Sequence, residues 1–234
     1  MTSGKLYLLP VTLGETEINQ VIPAYNLEII HEIDVYIVEN IKSARRFLKK
    51  AGIQKAIDEL TFLELNKRTD DYELYSYLKP LQEGKNVGIL SEAGCPGVAD
   101  PGADMVDLAQ QKGITVVPLV GPSSILLALM ASGMNGQSFT FHGYLPKDQK
   151  DRIRKLKELE QAVRSKKQTQ LFIETPFRNN HLFQDMLQHC SPNTKLCVAV
   201  DITLSTEMIQ TKTIDAWKKV KMDLHKRPCL FIIG

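Results

Sequence analysis

The sequence predicts an α/β protein of two domains, with a mostly parallel sheet flanked by helices on both faces first and a mixed α/β domain second. Three observations predict it. Short apolar or β-branched runs alternate with segments of helical spacing through the first half, the rhythm of strand–helix–strand crossovers. The second half keeps an α/β rhythm in which antiparallel pairs are expected. The chain has 234 residues, 43% hydrophobic and 24% charged, which is enough for one large core or two small ones and excludes a disordered chain.

The strand runs of the first half are Leu6–Val11, Val35–Val38, Thr61–Leu65, Val87–Leu90 and Thr115–Val120. Between them, Ser43–Ala51 sets Ala44, Phe47, Leu48 and Ala51 on one helical face, and Tyr72–Leu81 does so with Leu74, Leu78 and Leu81. Pro101–Lys112 opens on proline and is followed by Gly113, a helix start and stop. Farther on, Ser138–Leu145 reads as a strand, and Lys150–Arg164 as a charged helix with an Ile153, Leu156, Leu159 stripe. Strands follow at Gln170–Ile173, Lys195–Val200, Met208–Thr213 and Leu230–Ile233, with helices at Asn179–His189 and Ile214–Leu224. The fifth strand ends near Pro118, which places the domain boundary there: residues 1–118 and 119–234.

No run approaches the roughly 20 apolar residues of a membrane helix. The apolar start Leu6–Leu9 is too short for a secretory leader, so a cytoplasmic location is expected. Cys95, Cys190, Cys197 and Cys229 form no Cys-x-x-Cys pair and have no histidine at finger spacing, so no metal is expected. Net charge is +2, yet Lys147–Lys167 carries nine basic residues against four acidic, and Lys212–Arg227 six against two. That asymmetry is compatible with a polyanionic substrate, and equally with two solvated helix faces.

Two loops stand out. Ser91–Gly102 follows a strand and precedes a helix, where open α/β sheets bind ligands. Its three glycines, Gly94 among them, let backbone approach a ligand, and its two prolines fix the path. Glu92 and Asp100 can accept hydrogen bonds from an amino group or a ribose; the plain alternative for Asp100 is a helix cap ahead of Pro101. In Val120–Ser124, Ser123 or Ser124 at a helix start serves as an N-cap and can also receive a carboxylate. No Gly-x-Gly-x-x-Gly, P-loop or Gly-x-Ser-x-Gly pattern is present, so nothing points to a dinucleotide enzyme, an NTPase or a hydrolase of those types.

In order along the chain, Ser91-Glu92-Ala93-Gly94-Cys95-Pro96 with Asp100-Pro101-Gly102, then Val120–Ser124, Phe141-His142-Gly143-Tyr144-Leu145-Pro146 and Glu174-Thr175-Pro176-Phe177-Arg178 resemble the motifs of the tetrapyrrole-methylase superfamily of S-adenosylmethionine-dependent methyltransferases. Within it, they are most similar to the bacterial branch that 2′-O-methylates a cytidine of small-subunit ribosomal RNA. The chain diverges from that branch at Val11–Thr16, Glu39–Lys42, Leu65–Arg68 and Val200–Leu204, on the side where acceptor recognition is expected.

The resemblance implies the two-domain tetrapyrrole-methylase-like fold, a homodimer, and S-adenosyl-L-methionine folded into a cleft between the domains. It places Leu13, Gly94, Cys95, Val98, Ser123, Ser124 and Ile125 along the cofactor. Ile173 and Glu174 approach it from the second domain, and the last strand closes over the adenine near Pro228.

Methyl transfer from a sulfonium is an in-line displacement in which the protein chiefly supplies alignment. A hydroxyl acceptor also loses a proton, so a carboxylate helps. Glu39, ending the second strand, is the first candidate, and a helix N-terminal carboxylate is an equal reading of it; Glu92 and Asp100 follow. Lys147, Arg152 and Arg178 are candidates for holding substrate phosphate, against plain surface solvation. Three functions compete: ribosomal RNA 2′-O-methyltransferase, methyltransferase for a corrin-like small molecule or a protein, and a non-catalytic homologue that binds cofactor or RNA.

Overall fold

The computed structural model describes residues 3–66 and 68–234, and the chain divides after Ser123 into two compact units. Met1 and Thr2 of the leading segment, and Lys67 of the divergent Leu65–Arg68 stretch, lie outside the described residues.

The first unit is built on β1 (Leu6–Leu9), β2 (Val35–Val38), β3 (Thr61–Glu64), β4 (Val87–Leu90) and β5 (Val116–Pro118). They form one parallel sheet in the order β3-β2-β4-β1-β5. The central strands read as continuous apolar runs because helices bury both faces. α1 (Ile18–Val21) and α2 (Ala24–Glu32) follow β1, and α3 (Ile41–Lys50) follows β2. α4 (Asp71–Ser76) and α5 (Lys79–Gln82) follow β3, and α6 (Gly102–Gln111) follows β4. On one face Ile30 of α2 and Leu48 of α3 pack with Leu9, Tyr36 and Val38. On the other, Leu78, Leu81 and Met105 pack with Leu6, Ile37 and Ile89.

Three local departures from the expected elements have physical causes. The helix expected over Tyr72–Leu81 breaks into α4 and α5 because Pro80 has no N–H to offer the preceding turn. β5 is confined to Val116–Pro118, where proline again removes a donor, as an edge strand tolerates. α2 carries no apolar stripe strong enough to be read from sequence; it is fixed by tertiary bonds, the Tyr36 hydroxyl donating to the Ile30 carbonyl at 2.8 Å among them.

The second unit comprises α7 (Ser124–Ser132), β6 (Phe139–Tyr144), α8 (Gln149–Lys166), β7 (Thr169–Ile173), α9 (Asn179–His189), β8 (Lys195–Val200), β9 (Met208–Thr213), α10 (Ile214–Trp217) and β10 (Cys229–Ile233). Its sheet runs β6-β7-β10-β8-β9, with β6 parallel to β7 and every other pair antiparallel. Leu156 and Leu159 of α8, Phe183 and Met186 of α9, and Trp217 of α10 pack on Phe172, Val198 and Phe231. α10 stops at Trp217, well short of Leu224. The Leu224 N–H instead donates to Asn180 Oδ1 at 2.8 Å, a tertiary bond that a continued helix would forfeit.

α8 and α9 are joined by a buried ion pair. Arg152 donates to Asp185 through Nε (2.7 Å) and Nη2 (2.6 Å), with the two side chains 8% and 5% exposed. Removing one partner would leave the other charge buried and uncompensated, which typically costs about 3–5 kcal/mol. Asp185→Ala should therefore lower the stability of the second unit by that order. Urea denaturation followed by the fluorescence of Trp217, the single tryptophan, checks it.

Candidate functional site

β1 and β4 are hydrogen-bonded neighbours, but their connections part. After β1 the chain turns to α2 on one face of the sheet, and after β4 to α6 on the other. This divergence at the carboxyl ends of adjacent strands is the topological switch point, where open α/β sheets bind ligands.

The loops at the switch point are tied together. The Val11 N–H donates to the Gly94 carbonyl at 3.0 Å, and the Ser91 hydroxyl donates to the same carbonyl at 2.7 Å. Gly94 has φ +74°, and a Cβ there would lie 3.1 Å from Leu13 and 3.2 Å from the Pro122 carbonyl. Cys95 Sγ donates to that Pro122 carbonyl at 3.4 Å. Gly121 rests against Pro10, where a Cβ would come within 2.2 Å of the ring. The second loop is also held by Asn26, 2% exposed, which donates to the Val120 carbonyl at 2.8 Å. Asn26 is not singled out by the sequence; its only signal there is a carboxamide four residues after Ile22 and three before Ile29, on an apolar helical face.

Two cavities flank this knot. On the α6 side, Cys95, Val98, Ala103, Val106, Pro118 and Leu119 line about 600 Å³ with largely apolar walls. That size is ordinary for a small-molecule site, and apolar walls with nearby glycine backbone fit an adenosine. Val98 is 51% exposed there. Burial raises the Cys95 thiol above its usual range, so it presents a neutral surface. On the α3 side, Thr12, Leu13, Ser43, Arg46, Phe47 and Glu92 line about 240 Å³.

The three candidate carboxylates occupy different positions. Asp100 Oδ1 accepts from the N–H groups of Gly97 (2.7 Å) and Gly102 (2.9 Å), which folds the loop onto the start of α6. Burial raises its carboxyl above the usual range, and these two bonds oppose that. Glu39 is exposed at the end of β2 and shares a small hollow with Asp100 and Ser91. The helix after it is capped by Asn40, whose Oδ1 accepts from Lys42 N (2.9 Å) and Ser43 N (3.2 Å). Glu92 reaches the α3-side cavity and accepts from the Ser43 hydroxyl at 2.5 Å.

In the second unit, Ser124 and Ile125 open α7. Ile173, Glu174 and Pro228 meet at one end of the sheet, where β7 ends opposite the start of β10. Glu174, 5% exposed, accepts from Thr175 N (2.6 Å) and Arg178 Nη2 (2.5 Å). The Pro228 carbonyl accepts from Asp201 N at 3.0 Å. Lys147, Arg152, Glu174, Arg178 and His181 share a groove of about 380 Å³. Arg152 is a correction to its expected role: Nη1 donates to the Lys147 carbonyl at 2.7 Å while Nε and Nη2 hold Asp185, so its guanidinium serves the fold. Lys147 is exposed on the groove, and Arg178 is partly neutralised by Glu174. His142 is a satisfied half-buried residue, 2.7 Å from Gln170 Oε1.

Comparison with known proteins agrees with this architecture. The sequence profile of the tetrapyrrole (corrin/porphyrin) methylases matches residues 26–217. The chain is 27% identical to ribosomal RNA small subunit methyltransferase I of Escherichia coli O157:H7, over 99% of this chain and 78% of that protein. It is 32% identical to the protein of that name from Thermotoga maritima, over 79% of this chain and 78% of the relative. The fold matches the crystal structure of the methyltransferase CobJ with a TM-score of 0.65 at 17% identity, covering 99% of this chain and 94% of that one. It matches diphthine synthase with a TM-score of 0.66, also at 17% identity, covering 99% and 89%. The chain belongs to the tetrapyrrole (corrin/porphyrin) methylases and is an S-adenosylmethionine-dependent methyltransferase.

Proposed function

We propose that this enzyme methylates a ribose 2′-hydroxyl of ribosomal RNA. The observation that carries the reading is Glu92: a carboxylate on a cavity at the switch point, already accepting a hydroxyl hydrogen bond from Ser43. A substrate hydroxyl in that cavity would find the same acceptor. The relatives named ribosomal RNA small subunit methyltransferase I support RNA as the source of the hydroxyl.

Gly94, Cys95, Val98, Ser123, Ser124 and Ile125 would hold the cofactor, while Leu13 lines the α3-side cavity and would face the acceptor as well; the family resemblance adds Ile173, Glu174 and Pro228 as further cofactor candidates. Bound S-adenosylmethionine supplies an electrophilic methyl on a sulfonium. The Glu92 carboxylate would take the proton of the acceptor hydroxyl, leaving its oxygen free to receive the methyl that the cofactor would supply. Asp100 fastens the loop, its Oδ1 accepting from two backbone N–H groups, and Glu92 is the favoured base. Lys147 and Arg178 would receive substrate phosphate from their groove. The family resemblance further supports a homodimer. A cytoplasmic location is in keeping with a ribosomal acceptor; among the described residues no helix is long and apolar enough to cross a membrane.

Incubation with tritiated S-adenosylmethionine should label small-subunit ribosomal RNA on a ribose; label confined to small molecules or protein would overturn the reading. In the same assay, Glu92→Gln should reduce methyl transfer about 100-fold or more, the usual contribution of a general base, with cofactor affinity unchanged.

Asp100→Asn keeps an oxygen for Gly97 and Gly102 and should retain activity. Asp100→Ala leaves those N–H groups unpaired and should cost about 1–3 kcal/mol of stability by denaturant titration. An inactive but fully folded Asp100→Asn enzyme would return the base role to Asp100.

Val98→Trp should fill the α6-side cavity and abolish cofactor binding in a calorimetric titration without changing the unfolding midpoint.

A further inference from the structure

Helix α3 carries Lys42, Arg45, Arg46, Lys49 and Lys50 and no acidic residue. Their spacing of i, i+3, i+4, i+7 and i+8 places all five on one face of the helix. All are exposed, while Ala44 and Leu48 on the opposite side are buried. The stripe spans about 12 Å of helix axis.

Little on the protein neutralises it. Arg45 lies 4.0 Å from Asp58, whose side chain is 94% exposed, and Lys50 lies 3.2 Å from Glu15, 87% exposed. Pairs this exposed hold charge weakly. Among the described residues Arg46 and Lys49 form no ion pair. α8 differs in that it interleaves acids with its basic residues, and two of its cations meet buried carboxylates: Arg152 pairs with Asp185 and Arg164 with Glu160.

The stripe leads into the α3-side cavity, which Ser43, Arg46, Phe47 and Lys50 line together with Glu92. An aromatic ring among cations beside a groove is the combination that holds single-stranded nucleic acid, with rings for bases and cations for phosphates. A helix face that is merely solvated usually mixes both signs of charge.

We propose that the exposed face of α3, from Lys42 to Lys50, binds the phosphate backbone of a single-stranded segment of the RNA acceptor and so presents a ribose to the Glu92 cavity. The inference rests on RNA being the acceptor.

The test uses the full chain, a fluorescein-labelled single-stranded RNA oligonucleotide, and anisotropy titrations over a range of KCl concentrations. Wild type is compared with Arg46→Gln/Lys49→Gln, with the charge-conserving Arg46→Lys/Lys49→Arg, and with Arg154→Gln/Lys157→Gln on α8. The first pair should weaken RNA binding about tenfold or more and flatten the salt dependence by about 0.7 in log–log slope for each phosphate no longer neutralised. S-adenosylmethionine affinity and the unfolding midpoint should not move. The charge-conserving pair should restore binding, and the α8 pair should leave it unchanged. Wild-type affinity for the RNA with an indifferent α3 pair, or a weakening that follows the α8 pair, overturns the inference alone. A wild-type enzyme with no RNA affinity overturns the acceptor reading, and this inference with it.

Discussion

The hydrogen bond from the Val11 N–H to the Gly94 carbonyl joins the two loops that leave adjacent strands for opposite faces of the sheet. Without it, the carboxyl ends of β1 and β4 would open onto a simple crevice. With it, the loops form a bar across the crevice, reinforced by Ser91 from one side and by Gly121 seated on Pro10 from the other. A bar makes two compartments out of one: a largely apolar one toward α6 and a more polar one, with a carboxylate and cations, toward α3. The glycines in the bar follow from the crossing itself. At Gly94 the backbone is left-handed and two neighbours stand within 3.2 Å of where a Cβ would go, so any larger residue would push the loops apart.

The second unit handles charge in another way. Arg152–Asp185, Arg227–Asp201 and the Glu174–Arg178 pair each combine a carboxylate no more than 8% exposed with at least one further hydrogen bond. Glu160 is likewise buried and accepts from Ser191 N and the Thr194 hydroxyl. These groups fix how α8, α9 and the loop before β10 meet the sheet. Fully partnered, they act as rigid connectors; with a member missing, they would become a liability. The buried carboxylates thus engage Arg152 and Arg164 of α8, whereas among the described residues α3 has no buried carboxylate against its basic face and only exposed partners in Asp58 and Glu15.

Much of the fold is legible in the sequence because the parallel strands are buried on both faces and read as unbroken apolar runs; Val35–Val38 and Val87–Leu90 match to the residue. The loop at Ser91–Gly102 is legible for a similar reason, since its glycines and prolines have few other uses at that density. What escapes depends on partners remote in sequence. α2 is fixed by Tyr36 and by Asn26 reaching Val120, and α10 is cut short by Asn180 holding Leu224. Arg152 looks like a substrate ligand because its motif neighbours are loop residues, and only the partner at Asp185, on another helix, shows its structural task. Ser43 and the cationic face of α3 are visible in principle as a helical repeat of Lys and Arg. Total charge instead favours the longer α8 stretch, where acids at i, i+3 and i, i+4 offset part of it.

The position of Pro118 has a consequence for self-association. β5 is one of the two outer strands of the first sheet, and an outer strand is a template on which another chain can add by backbone pairing. Here the template is only three residues long, and its last residue has no N–H to donate. A stray strand arriving at that edge would find too few bonds to stay. The same proline that shortens the strand therefore leaves this one of the sheet's two edges with little backbone to offer another chain.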